Sequence, residues 1–413
     1  MNCRHCNTSL MHQFLDLGFA PPSNAYLSLS DLSRPEMHFP LRIFVCHNCW
    51  LVQTEDYSNA DELFNADYAY FSSVSSGWVE HARRYCKMII NRLSLGADSH
   101  VIEIAANDGY LLKNFVEARI PCLGIEPTAG TASAAEALGI KVLREFFGES
   151  LAQRLATENK QADLIIGNNV YAHVPAINDF TRGMKIALKP GGTITLEFPH
   201  LLQLLRCSQF DTVYHEHYSY LSLYNVARIF AAAGLRVFDV EELPTHGGSI
   251  RVYGCHEDDT RENSAKVAEV IAAEEKSGMR DLAIYHEFQE HANCIKNDLL
   301  MFLIEQKRLG KRVVGYGAAA KGNTLLNFAG VKPDLLPLIV DAAPSKQGKF
   351  MPGSHIPIHP PKEIDLIKPD FLLILPWNIK DEVCEKMAHI RAWGGHFVTA
   401  VPVLSIIDDQ VKV

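Results

Sequence analysis

The stretch VIEIAANDGYLL, residues 101–112, decides the fold. Its apolar start VIEIA (101–105) reads as a buried strand, Asn107-Asp108-Gly109 as a turn, and YLLKNFVEAR (110–119) as a helix. Working outward, the same alternation continues through a strand CLGIEP (122–127), a helix around 131–138, a strand DLIIGN (163–168) and a strand GTITLEFP (192–199). Strands separated by helical stretches specify a parallel, Rossmann-like doubly wound sheet, so the fold class is α/β. Upstream, WVEHARRYCKMIINRL has the three- and four-residue apolar spacing of an amphipathic helix. Downstream, a helix NVARIFAAAG and strands near LRVFDVEEL and SIRVYGC complete the sheet edge.

Beyond that edge, residues 262–309 read as two helices bridging to a second, smaller Rossmann-like α/β unit. Its strands are expected at KRVVGYG (311–317), LPLIVD (336–341), SHIPI (354–358) and DFLLILPWN (370–378). The expected division is a cysteine-bearing segment over 1–70, a core over 71–258, and the bridge plus C-terminal unit over 259–413. A chain of 413 residues is long enough for more than one hydrophobic core.

With 47% hydrophobic and 21% charged residues, the composition is that of an ordinary globular protein. A net charge of −9 removes the basic footprint of a nucleic-acid binder, so no nucleic-acid partner is expected. The first twenty residues lack a cationic start followed by an unbroken apolar run, and no segment is apolar enough to span a bilayer. The expectation is a cytoplasmic protein without a membrane partner.

Ten cysteines occur, and four are organised: Cys3-x-x-Cys6 and Cys46-x-x-Cys49. Each CxxC brings two thiolates close enough to share one tetrahedral ion, so the pairs read as a structural zinc site with no open position for substrate. His5 and His47 lie inside the pairs and are spare.

The loop after the first strand has the plan of an adenosyl cofactor site: Glu103 near the strand end, small residues into the turn, and Gly109 at the helix start. Ala105 and Asn107 stand where glycines are usual, with Asp108 beside them. Glu126, ending the next strand, suits both hydroxyls of a ribose; Glu145 is a candidate for the adenine edge, and Asn168 and Asn169 for the reactive end of the cofactor. Tyr214-His215-Glu216-His217-Tyr218 is the densest cluster of proton-transfer groups, and His173 follows the fourth strand directly. Tyr68 lies between the cysteine segment and the first helix.

These motifs occur together in the order of a known family: paired CxxC, E-x-x-x-N-D-G, H-E-H-Y, H-G-G-S-x-R at 246–251 and G-Y-G-A-x-x-K-x-N-T at 315–324. Over essentially its whole length the chain resembles the nucleotide-sugar C-methyltransferases, chiefly the C-3 methyltransferases of unusual deoxysugar biosynthesis. The resemblance implies a methyltransferase core using S-adenosylmethionine. It implies His217 as the base that removes a proton next to a ketone, Glu216 as its helper, and Tyr68, Tyr214 and His173 lining the sugar pocket. His246 and Arg251 would serve the substrate.

The C-terminal unit would hold the substrate's nucleotide diphosphate through Tyr316, Gly317, Lys321 and Asn323, with Asp341 in the position of a ribose-binding acid. Family habit favours dTDP as the nucleotide, with GDP and CDP left open, and a monomer or dimer as the assembly. An alternative is a second cofactor site for NAD in a nucleotide-sugar oxidoreductase, although a lysine inside the loop departs from the dinucleotide fingerprint. A third is a duplicated fold remnant that supports a dimer.

Overall fold

The structure, a computed structural model, describes residues 1–55, 57 and 71–407. The chain divides into two compact units, each assembled from separated segments. The first comprises residues 1–11, 45–202 and 217–280; the second comprises 12–44, 203–216 and 281–413.

The first unit is built on strands β1 (Val101–Ile104), β2 (Cys122–Ile125), β3 (Lys141–Leu143), β4 (Ala162–Asn168), β5 (Leu188–Pro199), β6 (Leu235–Leu243) and β7 (Ser249–His256). They form one sheet in the order β6-β7-β5-β4-β1-β2-β3. Strands β1 to β5 pair in parallel, as the alternation of strands and helices requires. The parallel expectation stops there: β7 runs antiparallel to both β5 and β6, because a short turn joins β6 to β7 and only an antiparallel partner can be reached that way. β1 is buried along its full length, as a central strand covered on both faces must be.

The helix Ser76–Leu93 starts at Ser75, whose side chain accepts the Trp78 N–H. It sends Ala82, Tyr85, Cys86 and Ile89 into a core with Val101, Leu111, Phe115 and Leu164. In the same unit the short strand Val52–Thr54 pairs antiparallel with Ser219–Tyr220, in register Val52 to Tyr220.

The second unit carries β8 (Val313–Tyr316), β9 (Ile339–Val340), β10 (Ile358–His359), β11 (Phe371–Ile374), β12 (His396–Thr399) and β13 (Ser405–Ile407), ordered β10-β9-β8-β11-β12-β13. All neighbours are parallel except β12 and β13. Val314, Val340, Ile364, Leu372, Ile374 and Phe397 centre its core. Residues between the two cysteine pairs form the strands His12–Ala20 and Phe39–Val45. Phe14 of the first packs edge-on to Tyr285 at 5.4 Å and lies 4.9 Å from Phe288, both on the long helix Leu282–Arg308. Among the described residues, no helix is long and apolar enough to cross a membrane.

Candidate functional site

The cysteine knot lies within the first unit. The four sulfurs of Cys3, Cys6, Cys46 and Cys49 all lie within 4.8 Å of one another, with Cys3 to Cys49 and Cys6 to Cys46 at 3.5 Å. Four thiolates around one zinc at about 2.3 Å stand about 3.8 Å apart, so the donor set fits that ion. Each pair closes as a tight turn: Asn7 N–H bonds Cys3 O at 2.9 Å and Trp50 N–H bonds Cys46 O at 2.8 Å. Asn7 and Trp50 both take left-handed backbone angles, with φ of 59° and 62°. The Cys3 and Cys49 thiols cannot both ionise unaided. Their mutual hydrogen bond holds Cys3 down at about 4 and pushes Cys49 far up, the conflict that a shared dication resolves.

At the C-terminal ends of β1, β2 and β4, the predicted cofactor residues other than Glu145 come together. Ala105, Asn107 and Gly109 alternate through left-handed angles, with φ of 57°, 48° and 78°. At that φ an L side chain on residue 109 is strained, and a Cβ there would press on Ile140 Cδ1 at 2.5 Å and on Ala135 Cα at 3.1 Å. Glu126 at the end of β2 braces the loop: one carboxylate oxygen accepts Asn107 N–H and the other Thr128 N–H, each at 2.9 Å. Each of those oxygens keeps a second lone pair for a ligand hydroxyl.

Around this brace lie buried polar atoms without a protein partner: one oxygen of Glu103, one of Asp108, and both amide atoms of Asn168. Such atoms cost free energy unless something satisfies them. A bound adenosyl cofactor offers hydroxyl and ammonium donors to the unpaired oxygens and a carboxylate acceptor to the Asn168 amide nitrogen, so these residues fit it. Burial raises the Glu103 carboxyl well above its ordinary range, with Glu126 and Asp108 adding to the effect.

Asn169 also sits at this end, with φ of 53° and its side-chain nitrogen 2.9 Å from the His246 ring. His246 in turn lies 5.0 Å from the Trp78 ring. Arg251 is buried with its guanidinium engaged by Glu197 at 2.6 Å and Glu241 at 3.0 Å, stacked 4.5 Å over the Tyr85 ring. His81 adds two contacts of 2.9 Å to Glu197. Burial opposes ionisation of Glu197, yet His81 and Arg251 outweigh it and lower its pKa. Glu145 stands on the surface, paired with Arg154 at 2.5 Å.

His173 caps the short turn after β4, and its ring meets the His217 ring edge-on at 4.6 Å. Thr54 holds the segment from below, its hydroxyl donating to His217 O at 3.2 Å and its N–H to Tyr218 O at 3.2 Å.

In the second unit, Glu216 is buried, and its carboxylate accepts both contacts of the Asn24 amide, at 2.8 and 3.1 Å. Burial pushes it up to about 7, against the Asn24 hydrogen bonds. Thr324 anchors the same stretch by donating to Val213 O at 2.7 Å. Tyr214 is half-buried on that stretch.

The loop after β8 is braced like the one after β1. Asp341 accepts Ala318 N–H and Ala343 N–H, both at 2.7 Å. Gly317 has φ of 89°, and a Cβ there would lie 2.6 Å from Pro376. Tyr26 and Lys346 both donate to Ala318 O, at 2.5 and 2.8 Å. Lys321 donates to Asn378 Oδ1 at 2.6 Å and rests 4.6 Å over the Trp377 ring. Burial lowers both lysines, which Asp211 opposes at Lys321 and Asp341 at Lys346. Asn323 leaves its buried amide nitrogen without a partner. Tyr316 is buried within β8 itself.

Tyr68 falls outside the described residues. Sequence reasoning missed Asn24, Tyr26, Lys346, Asp211 and the His81–Glu197 pair. The only local signal was Pro21-Pro22, which marks a turn just before Asn24.

Three family models match in succession: "Putative zinc binding domain" over residues 3–64, "Methyltransferase domain" over 78–240, and "C-methyltransferase C-terminal domain" over 244–402. C-methyltransferase NovU of Streptomyces niveus is 31% identical over 408 residues, covering 99% of this chain and 97% of its own. Among solved structures, PH0226 protein from Pyrococcus horikoshii OT3 has a TM-score of 0.37 at 14% identity, covering 45% of this chain and 94% of its own. A SAM-dependent methyltransferase from Anabaena variabilis has a TM-score of 0.35 at 14% identity, covering 43% and 86%. The full-length match carries the assignment and leaves the oxidoreductase alternative without support. The chain belongs to the S-adenosylmethionine-dependent C-methyltransferases, with a zinc-binding cysteine cluster at its N-terminus.

Proposed function

We propose that the protein methylates a carbon next to the ketone of a nucleotide-linked 4-keto-deoxysugar, C-3 being the position the family resemblance favours. The observation that carries this reading is the His173–His217 ring pair beyond the end of β4, with His217 buried and His173 half-buried, next to the strand tip that carries the unpartnered Asn168 amide. S-adenosylmethionine, when bound, supplies an electrophilic methyl group. Glu103, Asp108, Glu126, Asn168 and Asn169 are the residues suited to hold it, with Ala105 and Asn107 shaping the loop.

A ketone acidifies the neighbouring C–H, and His217 takes that proton to leave an enolate on the substrate. His173 is proposed to face the sugar, where its donor can stabilise the enolate oxygen; the family resemblance is what assigns Tyr214 and Tyr68 to the sugar as well. Glu216, next in the chain to His217, is proposed to assist it; a carboxyl lifted to about 7 by burial is poised to exchange a proton near neutral pH.

The second unit is proposed to hold the nucleotide diphosphate. The glycine loop at Gly317, the start of the helix Ala320–Ala329 and Lys321 offer backbone donors and a cation, joined by Lys346, and Asn323 offers an unsatisfied N–H. Family habit favours dTDP as the nucleotide.

The test is product mass spectrometry with a panel of dTDP-, GDP- and CDP-linked 4-keto sugars, together with exchange of the substrate C-3 hydrogen for solvent deuterium. A His217→Asn protein should lose both methyl transfer and exchange while still binding S-adenosylhomocysteine. Retention of exchange by that variant would remove His217 as the base, and turnover of no 4-keto sugar would remove the substrate class.

A further inference from the structure

The metal knot and the histidine pair share one side chain. Arg4 lies inside the first CxxC turn, between Cys3 and the residue pair His5-Cys6. Its backbone N–H donates to Gln53 Oε1 at 2.9 Å, while Gln53 Nε2 donates to the Cys3 sulfur at 3.3 Å. That exchange ties the arginine to a sulfur that would ligate zinc.

The guanidinium then reaches three groups at once. Nη1 donates to Pro175 O at 3.2 Å, Nη2 donates to Thr54 O at 3.0 Å, and the plane stands 5.3 Å over the Tyr218 ring. Each contact is one step from the histidines. Pro175 lies two residues after His173; Thr54 donates through its hydroxyl to His217 O and through its N–H to Tyr218 O; Tyr218 follows His217 directly. Next to Arg4, the His5 ring contacts Asn178 Oδ1 at 2.8 Å and Asn178 Nδ2 donates back to His5 O at 2.8 Å, pinning the same turn to the helix Ile177–Ala187.

We propose that Arg4 is a positioning residue: it transmits the geometry of the four-cysteine knot to His173 and His217 and fixes the distance between their rings. Only a planar fork can serve two carbonyls and an aromatic face together, so lysine is a poor replacement. The knot then does more than hold its own segment together, since loss of metal frees the anchor of the histidine pair. The functional consequence rests on the proposed roles of His173 and His217; the positioning itself does not.

The experiment uses the zinc-loaded full-length protein and its Arg4→Met and Arg4→Lys variants, with Thr54→Val as a probe from the opposite side. Zinc content and S-adenosylhomocysteine affinity serve as controls and should stay near wild type. The deciding readout is the imidazole titration of His173 and His217 by NMR on histidine-labelled protein. Both Arg4 variants should shift the two titrations together by about half a unit or more and broaden the ring signals, with Thr54→Val shifting His217 in particular. Where a substrate from the product screen is in hand, kcat should fall about tenfold or more with KM changed far less, and the acidic limb of the pH profile, where protonation silences the base, should move with the NMR shift.

Unchanged titrations in a zinc-replete Arg4→Lys protein would overturn the proposal, whatever happens to Arg4→Met. If Arg4→Met fails to fold, Arg4→Lys and Thr54→Val decide by the same signals. Shifted titrations with an unaltered pH profile would leave Arg4 as a positioning residue and refute the base assignment instead, so the two failures are distinguishable.

Discussion

The loop ends of the two parallel sheets make the most instructive comparison in the molecule. Each first strand runs into a turn that needs left-handed backbone, and each second strand ends in an acid whose two oxygens accept one N–H from that turn and one from two residues further on. Glu126 does this for Asn107 and Thr128; Asp341 does it for Ala318 and Ala343. The same backbone problem has the same solution twice.

The surroundings differ. Around Glu126 the buried atoms left over are one oxygen each of Glu103 and Asp108 and both amide atoms of Asn168, so two acids stand by the loop. Around Asp341 two half-buried lysines stand by the loop, Asn323 leaves a donor unpaired, and Asp211, facing Lys321, leaves one oxygen unpaired. Loop geometry thus sets where a ligand can approach, and the side chains beside it set which charge it favours: acids beside the first loop favour a cation, lysines beside the second an anion.

The comparison can be broken most sharply at the two glycines. Gly109→Val should lower S-adenosylhomocysteine affinity by about a hundredfold or more and leave dTDP binding nearly unchanged, since both the positive φ and the Ile140 contact forbid a side chain. Gly317→Val should do the reverse, because its Cβ meets Pro376. Calorimetric titration of each variant with both ligands checks the pair, and crossed effects would undo the assignment.

A smaller effect is expected from charge. Lys346→Met should weaken dTDP binding by about tenfold and flatten its salt dependence while sparing S-adenosylhomocysteine. Glu103→Gln should act on the cofactor site alone: cofactor affinity falls, yet the melting temperature rises at pH values above the ordinary carboxylate range, because an acid that burial keeps from ionising no longer opposes folding.

The pH dependence of Glu216 has a defined sign. Its folded pKa, about 7, lies above the ordinary 4.5, so the folded state holds the proton more tightly than the unfolded chain. Its cost to stability is absent below about pH 4.5, grows as pH rises toward 7, and then levels at on the order of 3 kcal/mol. Glu216→Gln should flatten that decline in denaturant titrations at stepped pH; an identical slope would show that the carboxyl is not buried in solution. The smallest effect belongs to Ala105→Gly, which relieves a left-handed alanine and should be neutral or stabilising by up to about 1 kcal/mol in the same assay.

Much of this was legible in residues 101–112 and their surroundings. Alternating apolar strands and helices reported the parallel core because burial on both faces leaves a continuous apolar run. CxxC spacing reported the knot because two ligands two residues apart can share one ion. The acids at strand ends could be numbered from the strand lengths alone. Other parts were silent for an equally physical reason. Arg251 looked like a substrate ligand in its motif, and only folding reveals Glu197 and Glu241 on its guanidinium. Glu145 looked like an adenine contact, and folding turns it to the surface beside Arg154.

By itself, then, the sequence determined the local periodicities, the turn chemistry and the ligand types, since each depends on neighbours within a few positions. Tertiary structure alone decided that residues 12–44 and 203–216 join the C-terminal unit, that Asn24 serves Glu216, and that Arg4 reaches Pro175 and Thr54. Those contacts join residues about 50 to 200 positions apart, and what selects them is the packing of whole elements, which no local pattern encodes.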